Sequence, residues 1–298
     1  FLAKDQPDYL VIYDDGFNYL TKMCLTNMRE AAFEMIQFAK ARNIKVIVSS
    51  SDSTDHAEKY LSAGADFIIY GEGEETLGEL IDHLSGSDLS PEFIAGLQYK
   101  NEKGIFKTAK RNVLKNIDDL PTPAWDLINM SKYKERWNAG SGYFSLNLST
   151  TRGCPFHCNW CAKPIYGNRY NVHSPQRIVE QIKFLQSTYG ASHFWMTDDI
   201  FGLKPGWIKE FADLIEASQL KIRFKIQSRA DLLTNDNTIS DLARAGCEIV
   251  WMGAESGSQK ILDAMDKGIT VKQIREATTG LKNAGVKAAF FLQFGYPG

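Results

Sequence analysis

Three of the five cysteines in this 298-residue chain fall within eight residues, at Cys154, Cys158 and Cys161, in the stretch Thr151-Arg-Gly-Cys-Pro-Phe-His-Cys-Asn-Trp-Cys-Ala-Lys-Pro164. Thiols this close, in a C-x₃-C-x₂-C spacing, suggest a metal. A closed structural zinc site asks for a fourth Cys or His, usually from a second pair. Cys24 and Cys247 have no paired neighbour, and His157 lies inside the loop itself. A cubane iron–sulfur cluster normally takes four thiolates. With three, one iron stays open to a small molecule, much as a catalytic zinc keeps an open position. The spacing by itself leaves zinc and a three-thiolate cluster both open.

Other groups capable of chemistry recur where apolar runs end. Met196-Thr-Asp-Asp-Ile-Phe-Gly202 places Asp198 and Asp199 side by side, and a helix cap would use only one of them. Gln227-Ser-Arg-Ala-Asp231 joins a hydroxyl (Ser228), a guanidinium (Arg229) and a carboxylate (Asp231). Gly253-Ala-Glu-Ser-Gly257 sets Glu255 and Ser256 after a run that should form a buried strand. An acid at the mouth of a buried strand is placed for a ligand or for a salt bridge.

The elements that must position these groups are legible as α/β. Residues 9–13, 44–48 and 67–70 are strand-like and separated by helical patterns, among them Met35, Phe38 and Ala39 at helical spacing after an N-cap at Asn27, and Leu77, Leu80, Ile81 and Leu84 on one face. From Ser85 the rhythm breaks into a pattern that resembles a β-hairpin over 96–111 and the proline-punctuated Asp118-Asp-Leu-Pro-Thr-Pro-Ala-Trp125. Alternation resumes with a strand over 144–149 leading straight into the cysteine loop. A helix capped by Ser174-Pro175 follows, with a stripe of Ile178, Ile182, Leu185 and Tyr189. Further strands are expected over 193–197, 222–227, 247–253 and 286–294. The expected organisation is a partial α/β domain over 1–90, a linker with a hairpin over 91–139, and a partial β/α barrel over 140–298.

The cysteine loop resembles the cluster motif of the radical S-adenosylmethionine (radical SAM) enzymes, including the aromatic Trp160 just before the last cysteine. The resemblance implies a partial (β/α)6 barrel, cut short at its C-terminal end. It implies that Cys154, Cys158 and Cys161 hold a [4Fe–4S] cluster whose fourth iron is chelated by the methionyl amine and carboxylate of SAM. Reductive cleavage would then give methionine and a 5′-deoxyadenosyl radical. By the same resemblance Trp160 lies against adenine, and Ser228 and Arg229 serve the methionyl carboxylate, a task suited to a fork of donors. Glu255 and Ser256 would contact the ribose or amino group, Asp198 and Asp199 lie near SAM or substrate, and Gln293 opens the adenine-contacting segment Gln293–Gly298. The position agrees with a ligand site at the C-terminal ends of barrel strands.

Residues 7–84 resemble the second half of a Rossmann-like cobalamin-binding domain, through Pro7-Asp-Tyr-Leu-Val-Ile12, Ala65-Asp-Phe-Ile-Ile-Tyr-Gly-Glu-Gly-Glu-Glu-Thr76 and Leu80-Ile-Asp-His-Leu84. The D-x-H-x-x-G motif that supplies a cobalt ligand is absent and would belong to a strand ahead of Phe1. Val48-Ser-Ser-Ser-Asp-Ser-Thr54 stands where a Gly-Gly turn is common, and Asp52 adds negative charge there. Cobalamin is thus an expected but conditional cofactor. The chain reads as a fragment.

The remaining composition narrows the function classes. A net charge of −2 offers no basic excess for nucleic acid, and no apolar run reaches the roughly 20 residues needed to cross a bilayer. An odd, clustered cysteine count argues against a secreted disulfide framework and for a reducing, cytoplasmic setting. Cys24 and Cys247 are expected as small apolar fillers, and His56 and His83 as solvent-facing. tRNA methylthiolation, which shares the core, needs three further cysteines in the first domain, where only Cys24 is available. What the resemblance implies is SAM cleavage in the service of cobalamin-assisted methyl transfer or oxidative cyclisation of a small molecule, with an external electron donor such as flavodoxin or ferredoxin. Trp195–Trp207 and Ser228–Leu233 look closer to the cyclase-like branch. The alternative is a non-catalytic cobalamin- or cluster-binding sensor.

Overall fold

The computed structural model describes residues 2–14, 24–161, 165–235 and 237–297. Ala162, Lys163 and Pro164 of the cysteine motif lie outside the described residues, as do Phe1 and Gly298. The chain divides into two compact units, Phe1–Leu114 with Lys163–Gly167, and Lys115–Ala162 with Asn168–Gly298. No described helix is long and apolar enough to cross a membrane.

In the first unit β1 (Tyr9–Tyr13), β2 (Lys45–Ser49) and β3 (Phe67–Ile69) pair in parallel. They are joined by α1 (Leu25–Lys40), α2 (Ser51–Asp55) and α3 (Ala57–Ala63), and α4 (Glu74–Leu84) follows β3. Alternation along the strands feeds two cores: Val46, Val48 and Ile68 enter one cluster, Ile47 and Ile69 the other. This is the double-sided burial of a parallel sheet. Helix α1 starts at Leu25 rather than after Asn27, preceded by Cys24 without a side-chain cap. It buries Ala32, Ile36 and Ala39, while Met35 and Phe38 are 43% and 45% exposed. The small alanines let the helix lie close to the sheet, and the Arg42 guanidinium stacks on Phe38 at 3.5 Å. Cys24 is exposed and so fills no core, whereas Cys247 is buried and its thiol is pushed up by desolvation. His83 is half-buried, its Nδ1 2.6 Å from the Leu89 carbonyl oxygen.

The hairpin, β4 (Leu97–Asn101) and β5 (Gly104–Lys107), is not an excursion from a linker. β4 pairs antiparallel with β3, giving the order β1-β2-β3-β4-β5. The first unit therefore runs past residue 90 to Leu114. Arg111 fastens this end to α4, donating to Thr76 Oγ1 at 2.7 Å and to Glu75 at 3.0 Å.

The second unit begins earlier than the sequence suggested, because the proline-rich segment packs onto it. Ile117 is fully buried, and the Asp118 carboxylate accepts from His173 Nδ1 at 2.8 Å and from the Ser174 amide at 3.1 Å. Helix α5 (Met130–Ser141), not expected from the sequence, is capped by Asn129 and ended by Gly142 at φ 73°. Five strands follow: β6 (Ser145–Leu148), β7 (His193–Met196), β8 (Arg223–Ser228), β9 (Cys247–Glu255) and β10 (Lys287–Leu292). All are parallel, and each joins beside its predecessor. A doubly wound sheet would reverse direction at a switch point. Sequential addition is the winding of a β/α barrel, present here as an open sheet among the described residues. Helices α6 (Pro175–Tyr189), α7 (Trp207–Ala217), α8 (Thr238–Arg244), α9 (Gln259–Ala264) and α10 (Val271–Asn283) lie between the strands. The expected α6 stripe packs as read, with Ile178, Ile182 and Leu185 fully buried.

Near the strand starts, His193 Nδ1 lies 2.8 Å from Ser145 Oγ and Nε2 lies 3.7 Å from Glu248. Burial, reinforced by Lys225, lowers its pKa to about 4 against the opposing pull of Glu248. Folded His193 therefore stays neutral where the unfolded chain, with a pKa near 6.5, binds a proton. Its contribution to stability is complete above about pH 6.5 and is lost as pH falls toward 4. The gap between the urea midpoints of the wild type and His193→Gln should accordingly be widest at neutral pH and narrow on acidification.

Candidate active site

The cysteine loop leaves the end of β6 through a base that the sequence builds from two threonines and one acid. Thr151 and Arg152 pair antiparallel with Val172 and Asn171, tying the two ends of the loop together. Beneath them Asp198, at the end of β7, has no exposed surface. Its Oδ1 accepts from the Thr150 amide at 2.6 Å and the Thr151 amide at 2.7 Å, and its Oδ2 from Thr150 Oγ1 at 2.5 Å. Burial pushes its pKa up to about 6, against these hydrogen bonds, which favour the charged form. The expected cofactor contact for Asp198 thus gives way to a different task, because its oxygens hold the loop root. Asp199, beside it, is exposed.

Farther out, the loop turns on Gly153 at φ 79° and carries Cys154, Cys158 and Cys161, none of them in a disulfide. The Cys161 amide donates to the Cys158 carbonyl at 3.2 Å, a turn that sets the spacing of the last two. Asn159 between them docks the loop on the C-terminal end of α9. Its amide donates to the Met265 carbonyl at 3.1 Å, and its Nδ2 donates to the Ala264 carbonyl at 2.7 Å. Tyr296 closes the clamp, donating its hydroxyl to Asn159 Oδ1 at 2.6 Å. Asn159→Ala removes the side-chain half of the clamp, an expected loss of about 1 kcal/mol or more. The readout is faster release of reconstituted iron to a chelator with an unchanged fold by circular dichroism.

Two charged pairs face the loop. Arg229 is 3% exposed and grips Asp231 with Nε at 3.0 Å and Nη2 at 3.2 Å. Its guanidinium also lies 3.6 Å from the centre of the Phe156 ring, inside the cysteine loop. Glu255 and Lys267 form the second pair at 2.9 Å, with side-chain exposures of 6% and 8%. The Lys267 ammonium sits 5.8 Å from the centre of the Trp160 ring, and Trp160 itself is 41% exposed. Gly253 borders this pair, and a Cβ there would stand 2.8 Å from Lys267 Nζ. Glu255 lies at φ 58° where the β9–β10 register shifts, a conformation costing a non-glycine residue about 1–3 kcal/mol. Strain of this kind concentrates where a side chain must be aimed.

Among the remaining candidates, Ser228 is 6% exposed at the end of β8, and Ser256 Oγ accepts from the Ser258 amide at 3.1 Å in a local turn. The Gln293 amide donates to the Glu255 carbonyl at 2.9 Å, and its Oε1 is buried with no hydrogen-bond partner among the described residues. Loop, Arg229, Glu255 and Gln293 therefore share one end of the sheet. Lys267, Asn159 and Phe156 belong with them but were not singled out, and Tyr296, within the segment expected to contact adenine, joins them through Asn159. For Lys267 the available signal was the need of a buried acid for a cation.

Among the described residues no three His, Cys, Asp or Glu side chains are gathered closely enough to hold a metal ion. What fits is the donor set: three thiols outside any disulfide on one short docked loop, soft ligands of the type that iron–sulfur clusters take.

Residues 148–298 match the Radical SAM superfamily. The chain is 33% identical over 234 residues, 78% of its length, to an uncharacterised methyltransferase of Pyrococcus horikoshii, covering 49% of that protein. It is 27% identical over 223 residues, 74% of its length, to the anaerobic magnesium-protoporphyrin IX monomethyl ester cyclase of Synechocystis, covering 43% of it. The chain thus spans about half the length of the curated relatives it matches. Among solved structures, the cobalamin-dependent SAM radical enzyme OxsB with aqua-cobalamin superposes with a TM-score of 0.78 at 22% identity, covering 98% of this chain and 41% of OxsB. The radical SAM methyltransferase TsrM of Kitasatospora setae with cobalamin and a [4Fe–4S] cluster gives a TM-score of 0.79 at 17% identity, covering all of this chain and 60% of TsrM. With the sequentially wound parallel sheet and the three-thiol loop at its C-terminal end, these matches establish that the chain belongs to the radical SAM superfamily.

Proposed function

We propose that Cys154, Cys158 and Cys161 hold a [4Fe–4S] cluster and that SAM occupies the iron they leave open. When bound, the pair supplies one-electron cleavage of the SAM sulfonium and so a 5′-deoxyadenosyl radical. The chain's own residues bind and orient. Arg229, fixed by Asp231 and Phe156, retains Nη1 as a donor for the methionyl carboxylate, with Ser228 beside it. Glu255, held by Lys267, presents a buried carboxylate to the ribose or the amine, with Ser256 following it in the chain. Trp160 offers an exposed ring to adenine, Gln293 a buried carbonyl oxygen, and Asp199 an exposed carboxylate toward SAM or substrate. The observation that carries this reading is the docked three-thiol loop at the strand ends, within residues matching the superfamily.

The first unit is the candidate cobalamin-binding part, serving methyl transfer or oxidative cyclisation of a small molecule in a cytoplasmic enzyme fed by an external electron donor. Its structure removes one objection. Asp52 is engaged by Arg29 at 2.5 and 2.7 Å and accepts from Tyr60 at 2.8 Å. Burial opposes its ionisation, but these partners outweigh burial and hold the carboxyl below its usual range. Its charge is thereby neutralised locally rather than turned on an approaching anion.

Anaerobically reconstituted protein given SAM and dithionite should form 5′-deoxyadenosine and methionine. An intact cluster that binds SAM and never forms 5′-deoxyadenosine would favour the non-catalytic sensor instead.

A further inference from the structure

The second unit's sheet has two unlike faces. Alternate positions Leu146, Phe194, Phe224, Ile226, Val250 and Met252 are buried in the core beneath the helices. The intervening positions carry Asn147, Trp195, Lys225, Gln227, Trp251 and Phe291, none of which is part of that core. Strand register sets them side by side: Asn147 opposite Trp195, Trp195 opposite Lys225, and Gln227 opposite Trp251. Trp251 and Phe291 lie with ring centres 5.3 Å apart and planes 30° apart.

Lys225 is the unusual member. Its ammonium lies 4.6 Å from the centre of the Trp195 ring and has no carboxylate partner among the described residues. The nearby acid, Glu248, is shared by His193 at 3.7 Å, Arg223 at 3.9 Å and Lys287 at 4.0 Å. A half-buried lysine in mid-strand, on an indole and without an acid, has the charge and the position to receive an anion. One compact ammonium matches a single carboxylate charge, whereas phosphate sites usually gather arginine forks or helix N-termini. The indoles and the phenyl ring favour a flat conjugated body, and the amides of Asn147 and Gln227 can orient its polar edge.

We propose that this face receives the substrate and that the substrate is a planar conjugated carboxylate, its anion on Lys225 and its ring system against Trp195, Trp251 and Phe291. Calling the ligand a substrate rests on the function proposed above, whereas its binding does not. The test is a tryptophan-fluorescence titration of the reconstituted protein with 2-naphthoate, 2-naphthamide and 2-naphthyl phosphate. Naphthoate should bind about tenfold or more tighter than the amide, the worth of one charge-assisted contact. Lys225→Met should erase that preference, and Lys225→Arg should keep it within about threefold. Equal binding of naphthoate and amide by the wild type, a preference that survives Lys225→Met, or tighter binding of the phosphate would each overturn the proposal. Protein that prefers naphthoate but forms no 5′-deoxyadenosine would refute the SAM reading alone. Protein that cleaves SAM without the preference would refute this inference alone.

Discussion

Cys158→Ala should abolish the iron–sulfur chromophore: reconstituted wild type is expected to carry about four irons per chain, and the variant to fall below about one. The expected effect is close to complete because the three thiols come from one loop, and the docking of that loop does not depend on the sulfur itself. Asn159 still clamps α9 through backbone and side chain, and Asp198 still holds the root. The variant should therefore keep its circular dichroism spectrum while losing visible absorbance. Zinc bound in place of iron, at equal occupancy in wild type and variant, would contradict the assignment of these residues.

Asp198→Ala carries the largest expected cost in stability. It leaves the Thr150 and Thr151 amides without the acceptor they share in the interior, at about 1–3 kcal/mol for each buried donor. A shift in the urea transition equivalent to roughly 3 kcal/mol or more is expected. Cluster retention should fall with it, since the loop base is no longer pinned. Asp198→Asn keeps one acceptor oxygen and should lose distinctly less. The pH dependence is also determined. The folded pKa of about 6 lies above the ordinary 3.8, so burying the charged form costs stability as pH rises through that interval. Asp198→Asn should remove this slope, and an unchanged transition in Asp198→Ala would show that the root is held by other contacts.

What the sequence disclosed was local, and what it concealed was tertiary. The thiol spacing, the capped helix after Ser174 and the acids at strand ends are each written in a few consecutive residues, and each appears in the structure at its expected place. The hairpin was legible from its turn, but its pairing with β3 depends on an edge that no local pattern names. Met35 and Phe38 have helical spacing, yet the neighbouring face of Ala32, Ile36 and Ala39 is the one buried on the sheet. The same division holds at the site. Glu255 was found because an acid after an apolar run is anomalous. Lys267, twelve residues on, and Tyr296, 137 residues from Asn159, meet their partners only through space. Asp198 was identified as functional from its position, and only its burial revealed that it serves the loop rather than a ligand.

The central claim, that three cysteines leave one iron for SAM, is tested most directly by hyperfine spectroscopy of the reduced, reconstituted protein with SAM labelled with ¹⁵N at its amino group. The account predicts a ¹⁵N coupling to the cluster that disappears when unlabelled SAM replaces the labelled compound. A reduced [4Fe–4S] cluster showing no such coupling in the presence of bound SAM would contradict it.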